Sequence, residues 1–108
     1  MADDDFEAAA EAAALAKLNA FSELTLDAIN RLPGAAAEDI VVAGKEVQLT
    51  VFRQQGLPDD PEAVLVTAQV SRASLGGMVT FLLEKGRVFS ASGSSRPATD
   101  EELAATAG

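Results

Sequence analysis

Two short polar stretches hold the residues most suited to chemistry. Ser90-Ala91-Ser92-Gly93-Ser94-Ser95, with Arg96 next in line, gathers hydroxyls around a glycine. Backbone amides and hydroxyls in such a nest could cradle a phosphate, with the guanidinium beside it. The stretch lacks the strand, glycine loop, lysine and helix order of a P-loop, and it reads as a surface loop leading into a helix. Asp59-Asp60, with Glu62 beyond Pro61, offers oxygens to a hard cation. That set is short, interrupted by proline and without EF-hand spacing, so it reads as a solvated loop tip. A lysine needs burial to lose its proton near neutral pH, and Lys45 and Lys85 both sit beside turn signals. No cofactor and no metal ion is expected.

The missing residue types narrow the function further. The 108 residues contain no Cys, His, Tyr or Trp. That removes disulfides, thiolate sites, the usual general base near neutral pH and the middle member of a Ser-His-Asp triad. Most enzyme classes are disfavoured. The formal charge is −9 and unevenly spread. Residues 1–39 carry nine acids and two bases, residues 40–96 five acids and six bases, and residues 97–108 three acids. Such a chain repels nucleic-acid phosphates and anionic lipid heads, so neither nucleic acid nor membrane is expected as a partner. The start, MADDDFEAAA, has no basic, apolar signal-peptide pattern, and no apolar run reaches membrane length. A cytoplasmic protein is expected.

Residues 4–21 read as a helix on propensity, since alanine is the best helix former. Leu15, Leu18 and Phe21 share a broad face with Ala10 and Ala14, while Glu7 and Glu11 intrude on it. The first ten or so residues are therefore expected to be exposed or frayed. The alanine face could instead meet a second copy of itself. Thr25 is placed as the N-cap of a second helix over 26–32, with Leu24 and Ile29 spaced for a hydrophobic staple. Leu24, Ala28, Ile29 and Leu32 form the stripe that should face the core, and Pro33-Gly34 stops the helix.

The strands are organised around Lys45 to Gln54, where Val47, Leu49 and Val51 alternate with Glu46, Gln48, Thr50 and Phe52. Ala35 to Asp39 reads as a connector, and 40–42 as a short strand joined to the central one by a turn over 43–45. One long strand bulged at Gly44 is the alternative. Two prolines and a glycine make 55–61 the clearest loop. A strand over 62–72 alternates Val64, Val66, Ala68 and Val70 with Leu65, Thr67, Gln69 and Ser71. A turn over 73–77 leads to a strand over 78–83. Glu84-Lys85-Gly86 then reads as a three-residue hairpin loop, pairing Leu83 with Arg87, Leu82 with Val88 and Phe81 with Phe89. Thr99 to Glu102 is a capping box opening a short helix to about Thr106, in which Leu103 is the one large apolar residue.

Together these make a single α+β domain over 1–108. An N-terminal helical segment packs on an antiparallel meander of four to five strands, and a short helix ends the chain. Residues 1–10 and 93–108 are the segments expected to be flexible. The valine face meets the helix. On the opposite face, Phe52, Leu65, Leu82 and Val88 are expected to form an apolar patch ringed by Thr67 and other polar residues, the core and rim of an interface. A terminal helix lying over that face would remove the patch. The occupant is a protein partner or a second copy in a homodimer. The expected function is a non-catalytic interaction module: an adaptor, a regulator or a chaperone-like protein. The alternative is a small-ligand binder, or an enzyme using only carboxylates, lysine or hydroxyls, with its pocket between helix and sheet.

Overall fold

The computed structural model describes residues 2–57, 60–73, 76 and 79–106. Helices α1 (Ala2–Phe21) and α2 (Leu26–Asn30) precede four long strands: β1 (Ala35–Val42), β2 (Lys45–Leu57), β3 (Asp60–Ala73) and β4 (Val79–Phe89). A short β5 (Ser95–Pro97) and helix α3 (Asp100–Thr106) follow. The strands form one five-stranded antiparallel sheet in the order β1-β2-β3-β4-β5. Chain neighbours pair throughout, as short connections favour, and the architecture is the expected α+β meander.

The β1–β2 hairpin turns on Ala43-Gly44, both at positive φ (50° and 78°), with Val42 paired to Lys45. Positive φ at both central residues is type I′ geometry, whose twist matches the flanking strands. The hairpin is therefore correct and the bulged single strand is not. β1 is longer than its composition suggests, because Ala35, Ala36 and Ala37 pair with Phe52, Val51 and Thr50. Alanine has little strand preference of its own, and the long β2 supplies the ladder that holds it. β2 also runs on into the stretch expected as a loop, and Leu57 pairs with Asp60. The register shifts between Gln55 and Leu57. Gly56 takes φ 87° there, and a Cβ on it would lie 3.3 Å from the Pro61 carbonyl oxygen. An irregularity of this kind admits Pro61 near a strand end. Pro58 and Asp59 lie outside the described residues.

The β3–β4 ladder runs from Val64 opposite Phe89 to Arg72 opposite Phe81. This overturns the hairpin expected at Glu84-Lys85-Gly86. Those residues lie inside β4, opposite Gln69, Ala68 and Thr67. Leu83 pairs with Val70 and Phe81 with Arg72, in place of Arg87 and Phe89. A continuous β4 satisfies the backbone groups along most of β3, which a short hairpin would leave unpaired. The turn expected over 73–77 lies largely outside the described residues.

α1 lies across the valine face. Phe6, Ala10, Ala14 and Leu18 form its buried stripe, since residues four apart share a helix face. They pack against Val47, Leu49, Val51, Val64, Val66, Ala68 and Val70. The Phe6 ring meets Phe81 edge-on at 4.8 Å, and the Lys45 ammonium stands 5.3 Å from the same ring. Two expectations fail here. Phe6 and Ala10 are buried within the stretch expected to be exposed or frayed, and Leu15 is exposed rather than core-facing. Ala10, Ala14, Leu18 and Phe21 pack on the core as expected, and Leu15 falls about a third of a turn from the centre of the stripe. Glu11 does not intrude on the stripe. It sits at the rim and pairs with Lys85 at 3.2 Å. The alanine face meets the sheet, not a second copy. α2 starts at Thr25, whose Oγ1 accepts the Ala28 N–H at 3.2 Å. Ile29 is fully buried and Leu26 and Leu32 partly so, while Leu24 is exposed.

α3 lies over the opposite face. Its reciprocal capping box is formed: Thr99 Oγ1 accepts the Glu102 N–H at 3.1 Å, and Glu102 Oε1 accepts the Thr99 N–H at 3.0 Å. Leu57, Ala63, Leu65 and Val88 make a second buried cluster, packed against Ala98 and Leu103. The Ala98 N–H donates to the Gly86 carbonyl at 2.8 Å. A Cβ on Gly86 would lie 2.7 Å from Leu103 Cδ2 and 3.1 Å from the Ala98 Cβ. Glycine is needed at 86 for close approach, not for a turn. The chain from Ser95 to Leu103 is thus paired and packed where a flexible tail was expected.

Candidate interaction surface

The sheet register lays out the second face in rows across β2, β3 and β4. They read Gln54–Leu65–Val88, Phe52–Thr67–Gly86, Thr50–Gln69–Glu84 and Gln48–Ser71–Leu82. The C-terminal segment covers the first row and the Gly86 end of the second. Leu65 and Val88 are only 1% and 4% exposed, so they contribute to the protein's own core and not to its surface. Phe52 and Leu82 are 38% and 56% exposed, and Thr67 is half-buried. With strands about 4.8 Å apart and a rise of about 3.4 Å per residue, Phe52 and Leu82 stand about 17 Å apart. The four apolar residues expected as one patch are therefore divided. Two lie beneath α3, and the other two mark diagonal corners of an open polar area holding Gln48, Thr50, Thr67, Gln69 and the carboxylate of Glu84.

Part of that area is concave. A groove of about 360 Å³ runs between Phe52 and Leu103, with Thr67, Gln69 and Glu84 on its floor. Gln69 Nε2 donates to Glu84 Oε1 at 2.9 Å, a charge-assisted bond that fixes both side chains. Arg53 Nε donates to the Leu32 carbonyl at 2.9 Å and ties the end of α2 to β2. On the helix side a smaller cleft of about 120 Å³ opens beside β1, between Lys17, Phe21 and Leu32 and the strand residues Ala36, Glu38 and Val51. The helix–sheet core itself has no buried polar side chain among the described residues.

The polar stretches that could do chemistry close on themselves. Ser90 Oγ lies 2.7 Å from Ser94 Oγ and 2.8 Å from Ser92 Oγ, and it donates to the Ser94 carbonyl at 3.1 Å. Arg96 turns to α3, giving two bonds of 2.7 Å to the Glu102 carboxylate. Those bonds, with the Thr99 N–H, pull Glu102 down to about 2, and the same contact raises Arg96. A carboxylate held this firmly in its charged form caps a helix and is a poor proton donor or acceptor at neutral pH. Asp60 Oδ1 accepts the Glu62 N–H at 3.2 Å, while Asp59 lies outside the described residues. Among the described residues, no group of three or more carboxylates is placed to hold a metal ion. Lys85 is paired with Glu11.

Sequence reasoning missed Leu103 as a wall of the groove and Gly86 as the seat of α3. The signal was present. A glycine inside an alternating strand marks a close backbone approach, but Glu84-Lys85-Gly86 also carries the composition of a turn. No helix among the described residues is long and apolar enough to cross a membrane. Comparison with known protein families, with curated proteins and with solved structures finds no match to this chain.

Proposed function

We propose that this is a non-catalytic protein-interaction module, cytoplasmic and self-associating, which works through the open half of its second sheet face. One observation carries the reading: Phe52 and Leu82 stand exposed at 38% and 56%, on a face whose other end is sealed by α3. Between them lie Gln48, Thr50, Thr67 and Gln69, and the Glu84 carboxylate among them is bonded to the Gln69 amide, so this face carries little of the net charge of −9 that would oppose a second copy. Apolar anchors with a polar surround are the composition of protein interfaces. The adaptor, regulator and chaperone-like roles all use such a surface.

Sedimentation velocity tests this. The wild type should run as a dimer, and Phe52→Asp and Leu82→Asp should each weaken association about thirtyfold, as loss of a hot-spot residue does. Both variants should keep the wild-type circular dichroism, since neither residue is buried. A wild type that stays monomeric, or variants that sediment unchanged, would refute the reading. The groove beside Phe52 supports a second reading. At about 360 Å³, with an apolar wall and a polar floor, it falls at the lower end of small-ligand pockets. A small molecule that protects the wild type against heat, but not Phe52→Asp, would favour it.

A further inference from the structure

β1 is the outermost strand of the sheet, and among the described residues no element lies beyond it. Its hydrogen-bond parity follows from the hairpin. The Arg53 N–H donates to the Gly34 carbonyl at 3.0 Å, and Val42 faces Lys45 across a two-residue turn. Even-numbered residues of β1 therefore bond inward to β2. The N–H and C=O groups of Ala35, Ala37, Asp39 and Val41 point outward, a template for one more strand.

The two sides of that edge differ. On the helix side, Ala36 and Glu38 border the cleft of about 120 Å³ that also contains Phe21 and Leu32. A strand added beyond β1 would set a side chain about 4.8 Å from Ala36, at the mouth of this cleft. On the other side stand Asp39 and, opposite Val41 on β2, Glu46. Glu38 is paired with Lys17 at 3.3 Å, while among the described residues Asp39 has no ion-pair partner.

We infer that the β1 edge accepts an extended segment of another protein, an added strand with large apolar side chains on the cleft side and lysine or arginine on the Asp39 side. Main-chain bonds to Ala35, Ala37, Asp39 and Val41 hold the strand, and the cleft and the carboxylates select its sequence. Charge excludes a second copy of β1. The two antiparallel registers with the longest overlap set Glu38 opposite its own copy or Asp39 opposite its own copy, and like charges directly opposed are destabilising. The same carboxylates attract a cationic strand. The edge is read through the outward N–H and C=O groups of β1, whereas the other surface rests on side chains of β2 and β4, with Leu82 three strands from the edge, so each proposal can fail without the other.

The probe is a fluorescein-labelled ten-residue peptide alternating leucine and lysine, followed by fluorescence anisotropy. Two control peptides accompany it. One is N-methylated on the alternate amides that would face β1, and the other carries glutamate for lysine. The leucine–lysine peptide should bind and should slow amide exchange at Ala35, Ala37, Asp39 and Val41. N-methylation, and Ala37→Pro in the protein, should each weaken binding about tenfold or more by removing edge bonds. Asp39→Lys should weaken the lysine peptide and strengthen the glutamate peptide, and Leu82→Asp, three strands from the edge on β4, should change neither. The N-methylated peptide acts on the ligand alone, so it decides the matter even if Ala37→Pro fails to fold. No binding at about 0.1 mM peptide, equal binding of the methylated peptide, or equal binding of the glutamate peptide would overturn the inference.

Discussion

Replacing Gly86 by alanine tests the seat of the C-terminal helix, and the structure supplies the magnitude. The added Cβ would lie 2.7 Å from Leu103 Cδ2, 3.1 Å from the Ala98 Cβ and 3.2 Å from Leu65 Cδ1. Ordinary carbon contacts are about 3.5–4.0 Å, so Leu103 must retreat by about 1 Å. Ala98 has no side chain to move, and Leu65 is fully enclosed. Overpacking of this kind costs about 1–3 kcal/mol. Alanine recovers about 0.5–1 kcal/mol over glycine within a strand. The net loss is about 0–2.5 kcal/mol, concentrated on α3, because the helix-side core lies on the other face of the sheet. Urea unfolding of wild type, Gly86→Ala, Leu103→Ala and the double variant closes a thermodynamic cycle. Truncating Leu103 makes room for the new methyl, so the two changes should couple by at least about 0.5 kcal/mol in the relieving direction. Exchange of the Ala98 amide, bonded to the Gly86 carbonyl, should quicken in Gly86→Ala. Effects additive to within about 0.3 kcal/mol would refute the contact. A hairpin loop at 84–86 would instead hold Gly86 at positive φ, and alanine would then cost stability whatever residue stood at 103.

Two further predictions follow from the packing. Phe6→Ala should lower the free energy of urea unfolding by about 2–4 kcal/mol, since it empties a buried site and loses the edge-on contact with Phe81; a loss below about 0.5 kcal/mol would restore the frayed N-terminus. The Glu102 carboxyl is held at about 2, below its ordinary 4.5, so its contribution to seating α3 is complete above 4.5 and fades as pH falls towards 2. The Glu102 and Leu103 amide resonances should report that loss over this window, and Glu102→Gln, which is uncharged throughout, should abolish the pH dependence.

What was legible in the sequence follows from the range over which each signal acts. Val47, Leu49 and Val51, and Val64, Val66, Ala68 and Val70, announced their inward face because strand alternation is local and strict. Thr25 and the Thr99–Glu102 box announced their helices because a cap needs only neighbours three residues away. The phase of α1 was legible only in part: Ala10, Ala14, Leu18 and Phe21 were placed on the core face and pack there, while Leu15 was misplaced and Phe6 was missed. Between Asp5 and Phe21 the chain is mostly alanine, and alanine marks no side of a helix. The stripe is decided by where Phe6 finds Phe81, 75 positions along the chain. The long ladders of β1 and β4 were hidden for a related reason. Ala35-Ala36-Ala37 and Glu84-Lys85-Gly86 have weak or contrary strand preference, and each is held in register by a partner strand whose own preference is strong.

The candidate surface shows the same limit more sharply. Alternation correctly assigned Phe52, Leu65, Leu82 and Val88 to one face, yet facing the same way is not the same as meeting the same solvent. Leu65 and Val88 became core because one leucine, at position 103, sits on a capped helix that lands on a glycine. The landing depends on a hydrogen bond between Ala98 and Gly86 and on an absent Cβ, and neither leaves a periodic trace. A residue's face is set by its own strand; its exposure is set by whichever distant segment arrives there. The open half of the face, where Phe52 and Leu82 remain, is bounded by the reach of α3. In a chain of this size, the least apolar helix thus determines how much of the sheet is left for a partner.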